Sequence, residues 1–161
     1  MTEEAERFIW MAMPDDPLIL LALGKVAVRH AQLERVIRFA RRSFTNETAA
    51  EALRVTSRWP LSQVCRELRK AAVTATNAKI PSVRLLCWVD AAALASDKRN
   101  ELFHGVWGQE LDADLVLSKR DNPFSPAPTA AMIESLAEEL GQLARDIGAE
   151  PFAYGNLRPD S

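Results

Sequence analysis

Two cysteines, two histidines and a single tyrosine are all that 161 residues contain of those types. Cys65 and Cys87 stand far apart, with no Cys-x-x-Cys pair and no Cys/His ligand spacing, which excludes a disulfide framework and a zinc site. Both are expected to be buried thiols in a reducing cytoplasm. Long apolar runs are missing as well. The longest, Leu18 to Val28, carries Gly24 and Lys25 and is too short to cross a bilayer, so no membrane is expected as a partner. The acidic start, Met1 to Arg7, lacks the basic, apolar, small-residue order of a secretory signal, which points to a cytoplasmic protein. An excess of one charge is also lacking. Twenty basic against 22 acidic residues leave a formal charge of −2, which excludes a nonspecific nucleic-acid coat while leaving room for a local basic groove.

What is present is apolar bulk with helical periodicity. A 48% hydrophobic content over this length supplies the core of one domain, residues 1–161, with 8–150 packed and 151–161 expected as a loosely ordered tail in which Phe152 and Tyr154 dock. Asp15-Asp16-Pro17 gives a capping carboxylate followed by proline at the first helical position. Apolar residues then recur at Leu23, Val26, Leu33, Ile37, Ala40 and Phe44, predicting a helix over about 18–43. A shorter helix runs from Glu47 to Ser57 before Trp59-Pro60 breaks the pattern. A third spans Ser62 to about Thr76, and a fourth runs from about Ser82 to Phe103, opened by Pro81 and ended by Gly105. After it the period changes. Val106 to Gly108 and Leu115 to Leu117 flank a turn-rich spacer compatible with a short irregular hairpin. Asp121 to Pro128, with three prolines, reads as a loop, after which Thr129 caps a last helix through Ile133, Leu136, Leu140, Leu143 and Ile147, stopped by Gly148. The expected fold is an all-α bundle of about five helices, with a short irregular hairpin after the fourth.

The chemistry-bearing residues gather at the end of the fourth helix. Arg99-Asn100-Glu101-Leu102-Phe103-His104-Gly105 joins a phosphate-grasping cation to the side chain that moves protons near neutral pH. The apolar stripe taken through Leu85, Val89, Ala92, Ala93, Ser96 and Phe103 aims Asn100 inward. Arg99 and His104 then flank it, roughly 140° apart at about 100° per residue. From one straight helix they do not reach one phosphate. The pair therefore needs either a bent terminus or a second copy across a two-fold axis. The plainer alternative is that both cap the helix C-terminus, with Asn100 bonded to backbone.

On the first helix His30 falls inside the apolar stripe and reads as a core histidine. Glu34 either orients Arg99 or His104 or pairs with Arg38 at i+4. Arg35, Arg38, Arg41 and Arg42 form either a solvated face or a phosphate-tracking rim. Trp10, Trp59, Trp88 and Trp107 read as core or interface fillers, with Trp107 the best candidate for base stacking because it follows the motif by three residues.

Arg99-Asn100-x-x-x-His104 in a small helical chain resembles the HEPN superfamily signature: arginine, a polar residue that is frequently Asn, three variable positions, then histidine. His104-Gly105-x-Trp107 is similar to the ending found in bacterial HEPN-like proteins. The resemblance covers the first four helices in outline, and the final helix and the segment after Trp107 are additions to it. It implies a bundle that dimerises through the motif helices and, in active members, a metal-independent endoribonuclease with no cofactor, often the toxin of a toxin–antitoxin or phage-defence pair. On that expectation Arg99 and His104 are catalytic, Asn100 and Glu34 supporting, and Arg38, Arg41, Arg42 and Trp107 touch RNA. The partners would be a second copy, RNA and an antitoxin protein. The alternative expectation is a noncatalytic dimeric helical module that binds a partner protein or a nucleotide.

Overall fold

The computed structural model describes residues 9–12, 14–45, 47–74, 82–110, 115–119 and 122–149. Five helices carry the fold: α1 (Pro17–Thr45), α2 (Ala49–Thr56), α3 (Leu61–Thr74), α4 (Ser82–His104) and α5 (Ala130–Ala149). The expected tail, with Phe152 and Tyr154, lies outside the described residues. No helix among the described residues is long and apolar enough to cross a membrane.

Local chemistry sets the helix starts. The Asp16 carboxylate accepts from the Leu18 amide at 2.8 Å while Pro17 occupies the first helical position, where a missing N–H costs nothing. Thr48 begins α2 through a reciprocal capping box with Glu51. The pattern Thr48-x-x-Glu51 was legible and places the start two residues later than Glu47. Thr129 Oγ1 accepts from the Met132 amide at 3.3 Å and starts α5. The end of α5 differs from expectation. Gly148 lies within the helix, which runs on to Ala149. There Val36 comes within 3.8 Å of where a Gly148 Cβ would sit, an ordinary contact distance, so α5 packs on α1 at this point without requiring the glycine.

The core follows the periodic residues. Val26, Leu33, Ile37 and Ala40 of α1 and Ile133, Leu140 and Ile147 of α5 are all but fully buried, and each large side chain contributes roughly 2 kcal/mol to folding by leaving water. Lys25 pairs with Glu134 and, further along both helices, Val36 meets Gly148, so α1 and α5 run parallel. Val64, Leu68, Leu85, Val89 and Ala92 extend the core through α3 and α4. Cys65 is buried within it, whereas Cys87 is exposed, which corrects the expectation of two buried thiols.

The strands exceed a hairpin. β1 (Ile9–Met11), β2 (Val106–Glu110), β3 (Leu115–Lys119) and β4 (Asn122–Pro126) form one antiparallel sheet in that order. Residues expected as a loop thus supply β4. Its prolines are tolerated because it is an edge strand, where an amide facing solvent needs no partner. The β3–β4 register shifts between Leu117 and Lys119. Leu117 is fully buried against the helices and ties the sheet to the bundle.

That sheet orients the seam that matters. β1 leads into α1, α4 leads into β2, and Met11 pairs with Gly108, so the start of α1 and the end of α4 share one edge. The two helices therefore run antiparallel, and His30 meets Ser96 between them.

Candidate functional site

α4 keeps its helical form to its last residue because the exposed carbonyls of its final turn have partners. The Gly105 amide donates to the Glu101 carbonyl at 3.0 Å, and the Trp107 indole N–H donates to the Leu102 carbonyl at 3.0 Å. Trp107 is partly buried against the core and acts as a C-terminal cap; its indole is not a free stacking platform. With no bent terminus, Arg99 and His104 keep a separation of roughly 140° around the axis.

The buried face of α4 is rotated from the one expected. Leu85, Val89, Ala92, Ala95, Ser96 and Leu102 are buried, whereas Phe103 is 39% exposed and Asn100 is exposed. Asn100 thus points out, and Arg99 takes the inward place. The sequence misled here because Ala93 fits the apolar pattern as well as Ala95 and Leu102 do, and a stripe drawn through Ala93 is turned toward Asn100. Phe103 lies under the Arg99 guanidinium, whose carbon sits 4.5 Å from the ring centroid, a cation–π contact one turn along the helix. An Arg99 terminal N–H donates to Asn100 Oδ1 at 3.1 Å. Its Nε is buried without a hydrogen-bond partner, and no carboxylate pairs with Arg99 among the described residues.

His104 is exposed, with no hydrogen bond or ion pair to another described residue. His30 differs. It is half-buried, its Nε2 lies 3.2 Å from the buried Ser96 Oγ, and its pKa is lowered from the ordinary imidazole value. Burial is the main cause and the Arg99 charge the second, with Glu34 pulling the other way. His30 is thus more than a core filler, because it shares an electrostatic environment with the motif arginine. Helical phase alone placed it near the seam, but the facing helix was needed to reveal its neighbour.

Glu34 pairs with Arg38, the simpler of its two expected roles. The antiparallel run of α1 and α4 carries Glu34 and Arg99 to opposite sides of the His30–Ser96 contact. The phosphate-tracking rim does not form on Arg38, Arg41 and Arg42. Arg38 donates to the Thr56 and Trp59 carbonyls and so fastens α1 to the α2–α3 connection. Arg41 is buried, holds Glu47 with two hydrogen bonds and stacks on Trp59 at 5.4 Å. Arg42 is buried, its Nε donating to the Glu47 carbonyl at 2.9 Å. Only Arg35 of that group is exposed. The arginines turn inward because α2 folds back over the end of α1 and brings carbonyls and a carboxylate to them.

The chain therefore presents two groups with capacity to spare: a cation stacked on Phe103, and an exposed imidazole at the helix end. Among the described residues no group of three or more His, Cys, Asp and Glu side chains is placed to hold a metal ion. Comparison with protein-family models, with characterised proteins and with solved structures finds no match to this chain.

Proposed function

We propose that the chain is a HEPN-like endoribonuclease that acts as a homodimer and cleaves RNA without a metal. The observation that carries this reading is the contrast within one helix. Arg99 has no carboxylate partner and His104 no partner of any kind among the described residues, although other half-buried arginines of the chain are matched. Polar groups left uncommitted in this way are what a phosphate held between two copies of the helix would use.

In the proposed reaction the ribose 2′-oxygen attacks the adjacent phosphorus and the bond from phosphorus to the 5′-oxygen breaks. His104 takes the 2′-hydroxyl proton as base or, from the other protomer, supplies a proton to the 5′-oxygen as acid. Arg99 stabilises the charge that builds on the non-bridging oxygens. Asn100 holds the guanidinium from outside, through the Oδ1 contact, and not from the core as its helical phase had suggested. The products are a 2′,3′-cyclic phosphate and a 5′-hydroxyl. DNA, with no 2′-hydroxyl, is not a substrate.

Because the two groups diverge on one helix, the reading requires a second α4 to bring Arg99 of one protomer near His104 of the other. A toxin or defence role, with an antitoxin protein as neutralising partner, belongs to the same proposal and rests on the sequence resemblance alone.

The test is purified protein with mixed RNA, with and without chelator, followed by end-group analysis. Chelator-resistant cutting to cyclic phosphate ends is expected, with the rate falling by about 100-fold or more in His104→Ala. Chelator-sensitive cutting, or full activity in that variant, rejects the mechanism. A stable dimer that leaves RNA intact would favour the noncatalytic binding module instead.

A further inference from the structure

His30 and Ser96 have no part in the transesterification outlined above, yet they meet across the α1–α4 seam beside Arg99. Ser96 and Arg99 are three residues apart on α4 and so share a face. Ser96 is buried and its Oγ lies 3.2 Å from His30 Nε2. His30 and Arg99 are only partly buried and Asn100 beyond them is exposed, so the cluster opens to solvent at its edge.

The arginines of the chain make the contrast that matters. Arg38 and Arg41, both half-buried or more, each have a carboxylate at hand, although Arg41 Nε is, like Arg99 Nε, buried without a hydrogen-bond partner. Arg99 has an aromatic ring, one amide oxygen and a buried Nε with no acceptor among the described residues. A guanidinium partly removed from water without a counter-charge is costly, and the cost is relieved when an anion arrives. We propose that Arg99, Ser96 and His30 form an oxyanion subsite on each protomer that takes a phosphate group of a nucleotide or a nucleic acid. Arg99 offers its uncommitted terminal N–H donors, and the Ser96–His30 pair, bonded to each other at 3.2 Å, adds the hydroxyl or imidazole N–H that this contact leaves over. Burial and the Arg99 charge disfavour the protonated ring; an arriving anion favours it, so binding is coupled to proton uptake from solvent. The charged groups acting on His30 are Arg99 from α4 and Glu34 from its own helix.

The subsite shares Arg99 with the ribonuclease reading but needs neither a second protomer nor cleavage, so the two fail separately. With two histidines in the chain, ring NMR signals are assigned by His104→Ala. Inorganic phosphate is titrated at fixed ionic strength in one arm, and a deoxyribonucleotide dimer, whose only phosphate is an uncuttable diester, in another. A saturable change at His30 is expected, with its apparent pKa rising by about one unit in inorganic phosphate and the response surviving in His104→Ala. Response to both probes assigns a nucleic-acid backbone phosphate, and response to inorganic phosphate alone assigns a terminal phosphate. Ser96→Ala, which removes one donor, should weaken binding about fivefold, and Arg99→Gln should abolish it. No saturable change at His30 with either probe, or an undiminished change in a folded Arg99→Gln or Ser96→Ala protein, overturns the proposal. RNA cleavage without a His30 response would leave the ribonuclease standing and remove the subsite. A His30 response without cleavage would do the reverse.

Discussion

Replacing Gly105 by alanine should damage this protein far more than its place at a helix end suggests. A Cβ built there would lie 2.5 Å from the Glu101 carbonyl oxygen, 2.7 Å from Leu117 Cδ1 and 2.8 Å from the Ser118 carbonyl oxygen. Two of these atoms are backbone, one in α4 and one in β3, and the third belongs to a fully buried side chain. None can rotate away, so the sheet must retreat from the helix. The glycine backbone is not in the left-handed region, so close approach, and not a helix-terminating conformation, is what demands it. Overpacking of this kind costs about 2 kcal/mol, and weakening the 3.0 Å bond from the Gly105 amide to Glu101 adds about 1 kcal/mol. A total of about 3 kcal/mol lowers the Tm of a chain this size by roughly 6–12 °C. Gly24→Ala is the control. Nothing lies within 4 Å of its Cβ position on exposed α1, so it should stabilise by about 0.5–1 kcal/mol. Urea and thermal unfolding followed by circular dichroism measure both. A Gly105→Ala protein within 0.5 kcal/mol of the parent, or Gly24→Ala less stable than the parent, would refute the packing argument.

Arg41→Ala should cost about 2–3 kcal/mol in urea unfolding because it strands Glu47 in a partly buried place, while Arg35→Ala, at an exposed site, should stay within about 0.5 kcal/mol. A native thiol titration should label Cys87 alone, since burial, helped by Asp90, pushes the Cys65 thiol up to about 12; reaction of two thiols before unfolding would contradict this. His30 makes stability sensitive to acid. Its folded pKa lies below the ordinary value of 6.5, so the unfolded chain binds more protons and stability falls as pH drops from 6.5 toward the folded value. Unfolding measured across that range should show a shallower slope in His30→Gln, and an unchanged slope would mean that the folded protein does not disfavour the protonated ring.

Helices were legible because apolar spacing and caps are local chemistry. Asp16, Pro17 and Thr129 mark their starts by side chains that act on backbone a few residues away. The strands were harder to read, since β1 gains its partner β2 only from a segment distant in sequence, and the prolines of β4, which pairs with the neighbouring β3, resemble a loop until its edge position is known. At the site the error was one of helical phase. Ala93 satisfies an apolar pattern as well as Ala95 and Leu102 do, and periodicity does not separate them.

The order of residues alone settled that five amphipathic segments pack into a bundle and that a guanidinium and an imidazole on one helix diverge by roughly 140°, because helix geometry is fixed by the backbone. Tertiary structure decided what each polar group faces. The return of α2 over α1 consumed the arginines that looked free for RNA, and the antiparallel meeting of α1 and α4 set His30 and Ser96 beside Arg99. Burial and partnership are properties of surfaces brought together from distant parts of the chain, and no local pattern encodes them.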